Sequence, residues 1–399
     1  MAQQASPPPR IVTLVLVTPG GRPVGVLPPF EVSVPWWQET GPVVQGARER
    51  FGLDITVLRL LAAERHVSHG GSVTYLAEAE APAPDLEPWA GTLDEHPLRA
   101  TWARPGGPDA ELAWATAVMA DRGIEAHGRP EQVRSWNLSS LWRLPTSGGA
   151  CWLKVVPPFL AHEGRLLERL QGGAVPNVLA VDGPRILMAE LSGQDLYEAK
   201  GATLRLMVSQ VVGLQQTWLG RTEELMDLGL PDWRGPALTA AIADVVERVG
   251  PQLQPAVQSR LDRFVDDLNR RFTTIDACGL PDTLVHGDFH PGNHRGDSER
   301  IVLLDWGDSG VGHPLLDQPA FLERVAEPDV AKVRDHWHRA WREVVPGSDP
   351  DRASALLAPI AAARQAVIYL HFLDHIEPSE HPYHAADPAD WLGRTAALL

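Results

Sequence analysis

Cysteine is almost missing from this 399-residue chain: only Cys151 and Cys278 occur, far apart. Two thiols exclude a disulfide framework and fit a reducing, cytoplasmic setting. Lysine is nearly as scarce, with Lys154, Lys200 and Lys332 in an otherwise all-arginine set of basic residues. A lysine kept in that background is a candidate for chemistry that a planar guanidinium serves less well. Positive charge is short overall, since 35 Lys and Arg face 51 Asp and Glu for a formal net charge of −16. That balance argues against a sequence-independent grip on nucleic acid, which needs clustered basic side chains. It favours a neutral or cationic small partner over a polyanion. No apolar run reaches the roughly 18 residues expected of a membrane span. The early run RIVTLVLV ends in a Pro-Gly-Gly turn and lacks a signal-peptide layout, so it reads as a strand.

What is present has the balance of a globular protein with two or three domains, at 44% hydrophobic and 22% charged residues. Residues 1–9, MAQQASPPP, read as a frayed terminus. The rest of 1–126 mixes strand patterns (IVTLVLV, GSVTYLAEAEA) with a short helix ending at Gly52 and a longer one, DAELAWATAVMADRGI. Pro/Gly loops such as EAPAPDLEPWAG separate them, giving an N-terminal α+β domain. EAHGRPEQ is a linker. Residues 127–191 then read β-β-β-α-β-β, with a hairpin break at PTSGG and a helix in HEGRLLERL. Residues 192–399 are mostly amphipathic helix, interrupted by two short strand-like runs, DTLVHGD and RIVLLDWGD.

The densest chemistry lies in LVHGDFHPGNH, Leu284–His294. His286, His290 and His294 are four apart, a zinc spacing on a helix. Gly287, Pro291 and Gly292 break any helix there, and no HExxH occurs. An inert polar loop is the other bland reading, but it leaves unexplained why the apolar run IVLL delivers Asp305 at its tip, twelve residues after Asn293. Asn293 and Asp305 are hard oxygen donors of the kind Mg²⁺ takes. Asp288, five residues before Asn293, is placed to orient and deprotonate a hydroxyl.

Together, HGDFHPGN and LLDWGD resemble the catalytic and metal-binding segments of the aminoglycoside phosphotransferase family, small-molecule kinases with the protein kinase-like fold. The resemblance covers about 133–399. It implies a bilobal fold, a small β-rich lobe at 127–191 and a helical lobe at 192–399, following the N-terminal α+β domain as a cap. It implies ATP and Mg²⁺, with Asp288 as the catalytic acid-base residue and Asn293 and Asp305 on the metal. Upstream it calls for a lysine on the third strand to hold the nucleotide phosphates, which matches Lys154, and for a helix glutamate to hold that lysine. Glu163 is the best match, and Glu168 the second. A hinge for adenine falls at Glu190 and Leu191. The phosphate loop departs from the glycine-rich pattern: SWNLSS has no glycine, so Ser139 and Ser140 would donate to phosphate, or the segment is a plain β-turn. His286, His290 and Asp317 match structural positions.

The family's acceptor sits against the helical lobe. The stretch FLDHIEPSEHPYHAADPAD carries five acids and no Lys or Arg. Asp374 and Glu377 are the acceptor contacts expected from it, and an acidic rim suits an amino-bearing acceptor such as an aminoglycoside or amino sugar. A merely solvated acidic face is the alternative. In the N-terminal domain, GARERFGLDITVLRLL is similar to the end of a Nudix box, with Gly52 and Leu53 on its last positions. Only Glu49 then survives of the box's acids, and Trp37, Gln45, Gly46 and Arg50 stand elsewhere in it, so a cap, dimerisation or substrate-shaping role is expected there rather than hydrolysis. A neutral sugar kinase and a nucleotide-binding regulator without transfer activity are the competing functions. Neither nucleic acid nor membrane is expected as a partner.

Overall fold

A computed structural model describes residues 7–65, 68–80, 86–170, 172–297 and 300–399. Most of the tail expected to be frayed, and the centre of the Pro-rich loop at 80–91, lie outside the described residues. The chain packs into two compact units. One comprises Met1–Ala161, Val178–Glu190 and Phe372–Ala386, and the other His162–Asn177, Leu191–His371 and Asp387–Leu399. Packing thus groups residues across the three consecutive segments of the sequence reading.

In the first unit, strands Arg10–Val17 (β1), Pro23–Val26 (β2) and Phe30–Val32 (β3) precede helix Gly41–Phe51 (α1). Ile55–Ala63 (β4), Gly71–Ala79 (β5) and helix Gly107–Asp121 (α2) follow. The sheet runs β2-β1-β5-β4, with β3 also on β1, and only β1 and β5 are parallel. Its apolar alternation builds a core around Val12, Leu14, Leu16, Trp37, Val57 and Tyr75. Trp37 is fully buried and donates from Nε1 to the Gly70 carbonyl. Gln45 and Glu49 lie exposed on α1, hydrogen-bonded to each other at 2.7 Å.

The second sheet of this unit holds Glu131–Trp136 (β6), Ser139–Thr146 (β7) and Gly149–Val155 (β8). After helix His162–Leu170 (α3), it is completed by Val178–Asp182 (β9) and Arg185–Ala189 (β10) in the order β6-β7-β8-β10-β9. α2 covers one face of it, and Trp102, Ala115 and Met119 share a core with Trp142, Leu153, Val155 and Leu187. The exposed edge of β6 is not left open. Its residues exchange backbone hydrogen bonds with Gln38 and Thr40, and the Gln132 amide extends the ladder by bonding both the N–H and the carbonyl of Val57, at 2.9 and 2.8 Å.

The second unit begins with α3 and resumes at Leu191. Its elements are Gln194–Asp195 (β11), Ala202–Gln216 (α4), Thr222–Asp227 (α5), Asp232–Trp233 (β12), Gly235–Val249 (α6) and Pro255–Asp276 (α7). The short strands Thr283–Val285 (β13), His294–Gly296 (β14), Ile301–Leu303 (β15) and Gly310–Gly312 (β16) come next. Gln318–Glu323 (α8), Glu327–Val344 (α9), Pro350–His375 (α10) and Asp387–Ala397 (α11) close the chain. The fold is α+β, as the sequence predicts. Among the described residues one helix, α10, is long and apolar enough to cross a membrane by length and composition, although no continuous apolar run announces it. Most of its apolar stretch is buried within the fold, which is what an interior helix requires.

Candidate active site

The site is built on the hairpin of β14 and β15. His294 pairs with Leu303, so the residues just outside the pair, Asn293 and Leu304, face each other. The Leu304 N–H donates to the Asn293 carbonyl at 2.7 Å. Asn293 and Asp305 therefore emerge at the same end of the hairpin, although twelve residues separate them. Asp305 has φ +60°, the sole non-glycine in the left-handed region among the described residues. Such strain persists where the surrounding structure demands it, and functional sites are where it clusters.

Asp288 stands beside this end. The Asn293 amide nitrogen donates to both the Asp288 carbonyl (2.8 Å) and Oδ2 (3.0 Å). His290 Nε2 lies 3.4 Å from the same oxygen. Oδ2 is thus held, while the side chain keeps 44% of its surface open. Burial is the largest influence on this carboxyl and pushes its pKa up, but His290 outweighs it and holds the group below its ordinary value. Asp288 is accordingly a carboxylate at neutral pH. With its nitrogen committed to Asp288, the Asn293 amide turns its oxygen the other way. That oxygen and the Asp305 carboxylate are oxygen donors carried at the same end of the hairpin, the donor chemistry that Mg²⁺ takes.

The histidines have other tasks. The Asp288 N–H donates to His286 Nδ1 (3.3 Å), so the ring's proton sits on Nε2, which donates to the Leu304 carbonyl (2.9 Å). His294 Nδ1 bonds the His290 carbonyl, and His290 Nδ1 accepts from the Gly292 N–H. Burial pushes the pKa of His286 down, and that of His294 to about 3. Among the described residues, no group of three or more His, Cys, Asp or Glu is arranged to hold a metal ion. Asp317 is fully buried and accepts from the N–H groups of His286 (2.9 Å) and Gly287 (2.8 Å) and from Gln215.

Of the upstream residues, Glu163 is buried on α3 and accepts from the Trp306 N–H at 3.2 Å, directly after Asp305. Glu168 points to solvent. Lys154 lies on β8, the central strand of its sheet, in register with Leu141 and Ile186. The chain passes from one unit to the other between Glu190 and Leu191. Glu190 bonds back to the Ala150 carbonyl, and the Leu191 carbonyl accepts from Arg295.

Two expectations need correction. Ser139 and Ser140 do not form a polar loop. Trp136 pairs with Ser139, so the turn is Asn137–Leu138 and both serines belong to β7. Their buried hydroxyls accept from the indoles of Trp136 (3.0 Å) and Trp142 (2.9 Å). The residue at the turn is Asn137, hydrogen-bonded to His384 and to the Glu380 carbonyl. Nor does Glu377 stand on an acidic rim. It is buried, and both its oxygens accept from Arg99, at 2.8–3.1 Å, with Arg59 at 3.6 Å. Glu380 is buried as well and accepts from the Leu60 N–H. The partners come from residues 59–99, so a count of basic residues within the acidic stretch misses them. Asp374 remains exposed.

The structure also brings up two residues of α10, of which Arg364 carries no sequence signal. Tyr369 on α10 is shifted well above its ordinary pKa by burial and by the carboxylates of Asp387, Asp288 and Asp308. Arg364, five residues earlier, is buried and donates to the Gly287 carbonyl in the loop that carries Asp288.

Residues 134–356, more than half of the chain, match the model of the phosphotransferase enzyme family. No curated protein matches the chain significantly. Among solved structures, a macrolide 2′-phosphotransferase type I is similar at 19% identity and a TM-score of 0.50, over 73% of this chain and 97% of that one. A choline/ethanolamine kinase family protein from Mesorhizobium loti is similar at 17% identity and a TM-score of 0.50, over 73% and 94%. The GDP and kanamycin complex of APH(2″)-IIIa is similar at 17% identity and a TM-score of 0.48, over 72% and 97%. With the family's two-part motif present at one hairpin end and the family model spanning both halves of it, the chain belongs to the phosphotransferase enzyme family and is a small-molecule kinase.

Proposed function

We propose that the chain transfers the γ-phosphate of ATP to a hydroxyl of a small amino-bearing molecule, such as an aminoglycoside or amino sugar. The observation that carries this reading is the Asp288 carboxylate, half open and ionised, with Oδ2 held by Asn293 and His290. Its other oxygen is left to accept the hydrogen bond of an acceptor hydroxyl. A carboxylate with a depressed pKa is a weak base. Its main contribution is to orient the hydroxyl, which suits a loose phosphoryl transition state that asks for little early deprotonation. Asn293 and Asp305 would hold Mg²⁺, which when bound neutralises charge on the phosphates. Lys154 would take the α/β-phosphates, Glu163 would hold it, and Glu190 and Leu191 would receive adenine.

An amine on the acceptor is supported by the carboxylates of Asp288, Asp308 and Asp387 around Tyr369, and by the net charge of −16. Asp374 is kept as an acceptor contact. The burial of Glu377 and Glu380 removes two of the five acids behind an acidic rim, and this favours a neutral sugar as the second reading. The N-terminal domain acts as a cap that braces the small-lobe sheet, as the shared core under α2 and the covered edge of β6 support.

An ATPase-coupled screen of aminoglycosides, macrolides, amino sugars, choline and maltose tests the proposal. Turnover with an amino-bearing acceptor is expected. Turnover with neutral or anionic acceptors alone would refute the amine. Mg-ATP binding with no turnover on the panel would point to a regulator.

A further inference from the structure

Gly287, the residue before Asp288, is gripped at both of its backbone polar groups. Its N–H donates to Asp317 Oδ1 at 2.8 Å. Its carbonyl accepts from Arg364 Nη2 at 2.7 Å and from Gln365 Nε2 at 3.3 Å. An anion holds one side of the loop and a cation the other. Gly287 has φ +90°, and a Cβ there would collide with the Asp308 carbonyl, so no other residue type fits the turn.

Arg364 is an expensive way to supply one hydrogen bond. It is 1% exposed, its Nε and Nη1 have no hydrogen-bond partner among the described residues, and its guanidinium lies 5.9 Å from the Trp233 ring. Burying a cation is unfavourable unless nearby anions compensate it. Here the compensating charges are Asp317, Asp308 and Asp288, which are residues of the catalytic loop and its surroundings. A neutral side chain of the same size would fill the space without desolvating a charge. The charge is therefore retained for what it does to the loop.

Building on the kinase reading above, we propose that Arg364, assisted by Gln365, is a positioning residue. It fixes the Gly287 carbonyl, and so sets the direction in which the Asp288 carboxylate faces the acceptor hydroxyl.

The test compares Arg364→Met, Arg364→Lys and Gln365→Leu with the wild-type chain. Each is assayed for Mg-ATP affinity, for turnover with water or a screened acceptor, and for amide exchange at 286–288. Arg364→Met is expected to lower kcat by about 10- to 100-fold with the Kd for Mg-ATP unchanged, and to speed exchange at 286–288. Arg364→Lys, which keeps the charge and one donor, is expected to recover part of kcat. Gln365→Leu should lower kcat a few-fold. If Arg364→Met fails to fold, the lysine and Gln365 variants carry the comparison. Wild-type kcat in a folded Arg364→Met, or unchanged exchange, overturns the proposal. Faster exchange in the variant, from a wild-type chain that transfers phosphate to nothing, upholds the clamp and sinks the kinase reading alone.

Discussion

His286 and Leu304 are joined by a hydrogen bond of 2.9 Å from the imidazole Nε2 to the backbone carbonyl. The same ring accepts from the Asp288 N–H at 3.3 Å. One neutral side chain thus ties the loop carrying Asp288 to the strand end carrying Asp305. His286→Leu keeps the volume and loses both bonds. We expect kcat to fall about 10-fold or more, because the two halves of the site lose their common reference. His286→Asn, which has a donor and an acceptor, should recover part of it. Equal activity in the Leu and Asn variants would contradict this role.

Asp288→Asn preserves shape and removes the charge. Turnover should drop by about 10²-fold or more, because the acceptor hydroxyl loses the charged group that orients it. Binding of Mg-ATP should survive, since Asp288 is not one of the expected metal ligands. Isothermal titration with Mg-ATP beside steady-state kinetics separates the two. A parallel loss of affinity would move Asp288 to the metal site. Asp305→Asn should do the reverse and abolish the Mg²⁺-dependent part of nucleotide affinity.

Glu377 satisfies Arg99 and Arg59 in the interior of the first unit, with both members of the Arg99 pair only 7% exposed. Glu377→Ala leaves buried cations uncompensated and should destabilise this unit by about 3–5 kcal/mol. Chemical denaturation would read it. The pair Arg99→Met with Glu377→Leu should be milder than Glu377→Ala alone. A silent Glu377→Ala would return this residue to the list of acceptor contacts.

Glu380 gives a pH signature. Burial raises its pKa from an ordinary 4.5 to about 8, only partly opposed by the Leu60 N–H. The folded state therefore holds this proton more tightly than the unfolded chain. Its contribution to stability is full below about 4.5 and is lost as pH rises through 8, with a slope of up to about 1.4 kcal/mol per pH unit. Glu380→Gln should flatten the stability profile between pH 5 and 8. A profile unchanged by the substitution would show that Glu380 titrates normally.

The local parts of the site were legible because their signals are local. Asn293 and Asp305 flank one hairpin and Asp288 lies in the loop just before it, and the turn-formers and apolar runs that make these segments are adjacent in sequence. Glu163 was legible for a similar reason, since α3 buries one face and Glu168 falls on the other. At SWNLSS the sequence leaves a phosphate-binding loop and a plain β-turn both open, because a two-residue turn shifts the strand start by only a residue or two and no composition signal marks that shift. Asn137 was missed because nothing near it in sequence resembles its partners, Glu380 and His384.

The sequence by itself determined the family and the candidate residues: an acid, an amide and a second acid at spacings that one hairpin and the loop before it can gather, and a scarce lysine on a middle strand. Only the tertiary structure decided which charges remain available for that chemistry. Glu377 is neutralised by Arg99 and Arg59, far away in sequence, and Arg364 reaches the loop from a helix whose own pattern reads as core. Electrostatic pairing acts through space, over a few ångströms, whereas a sequence motif records only neighbours along the chain.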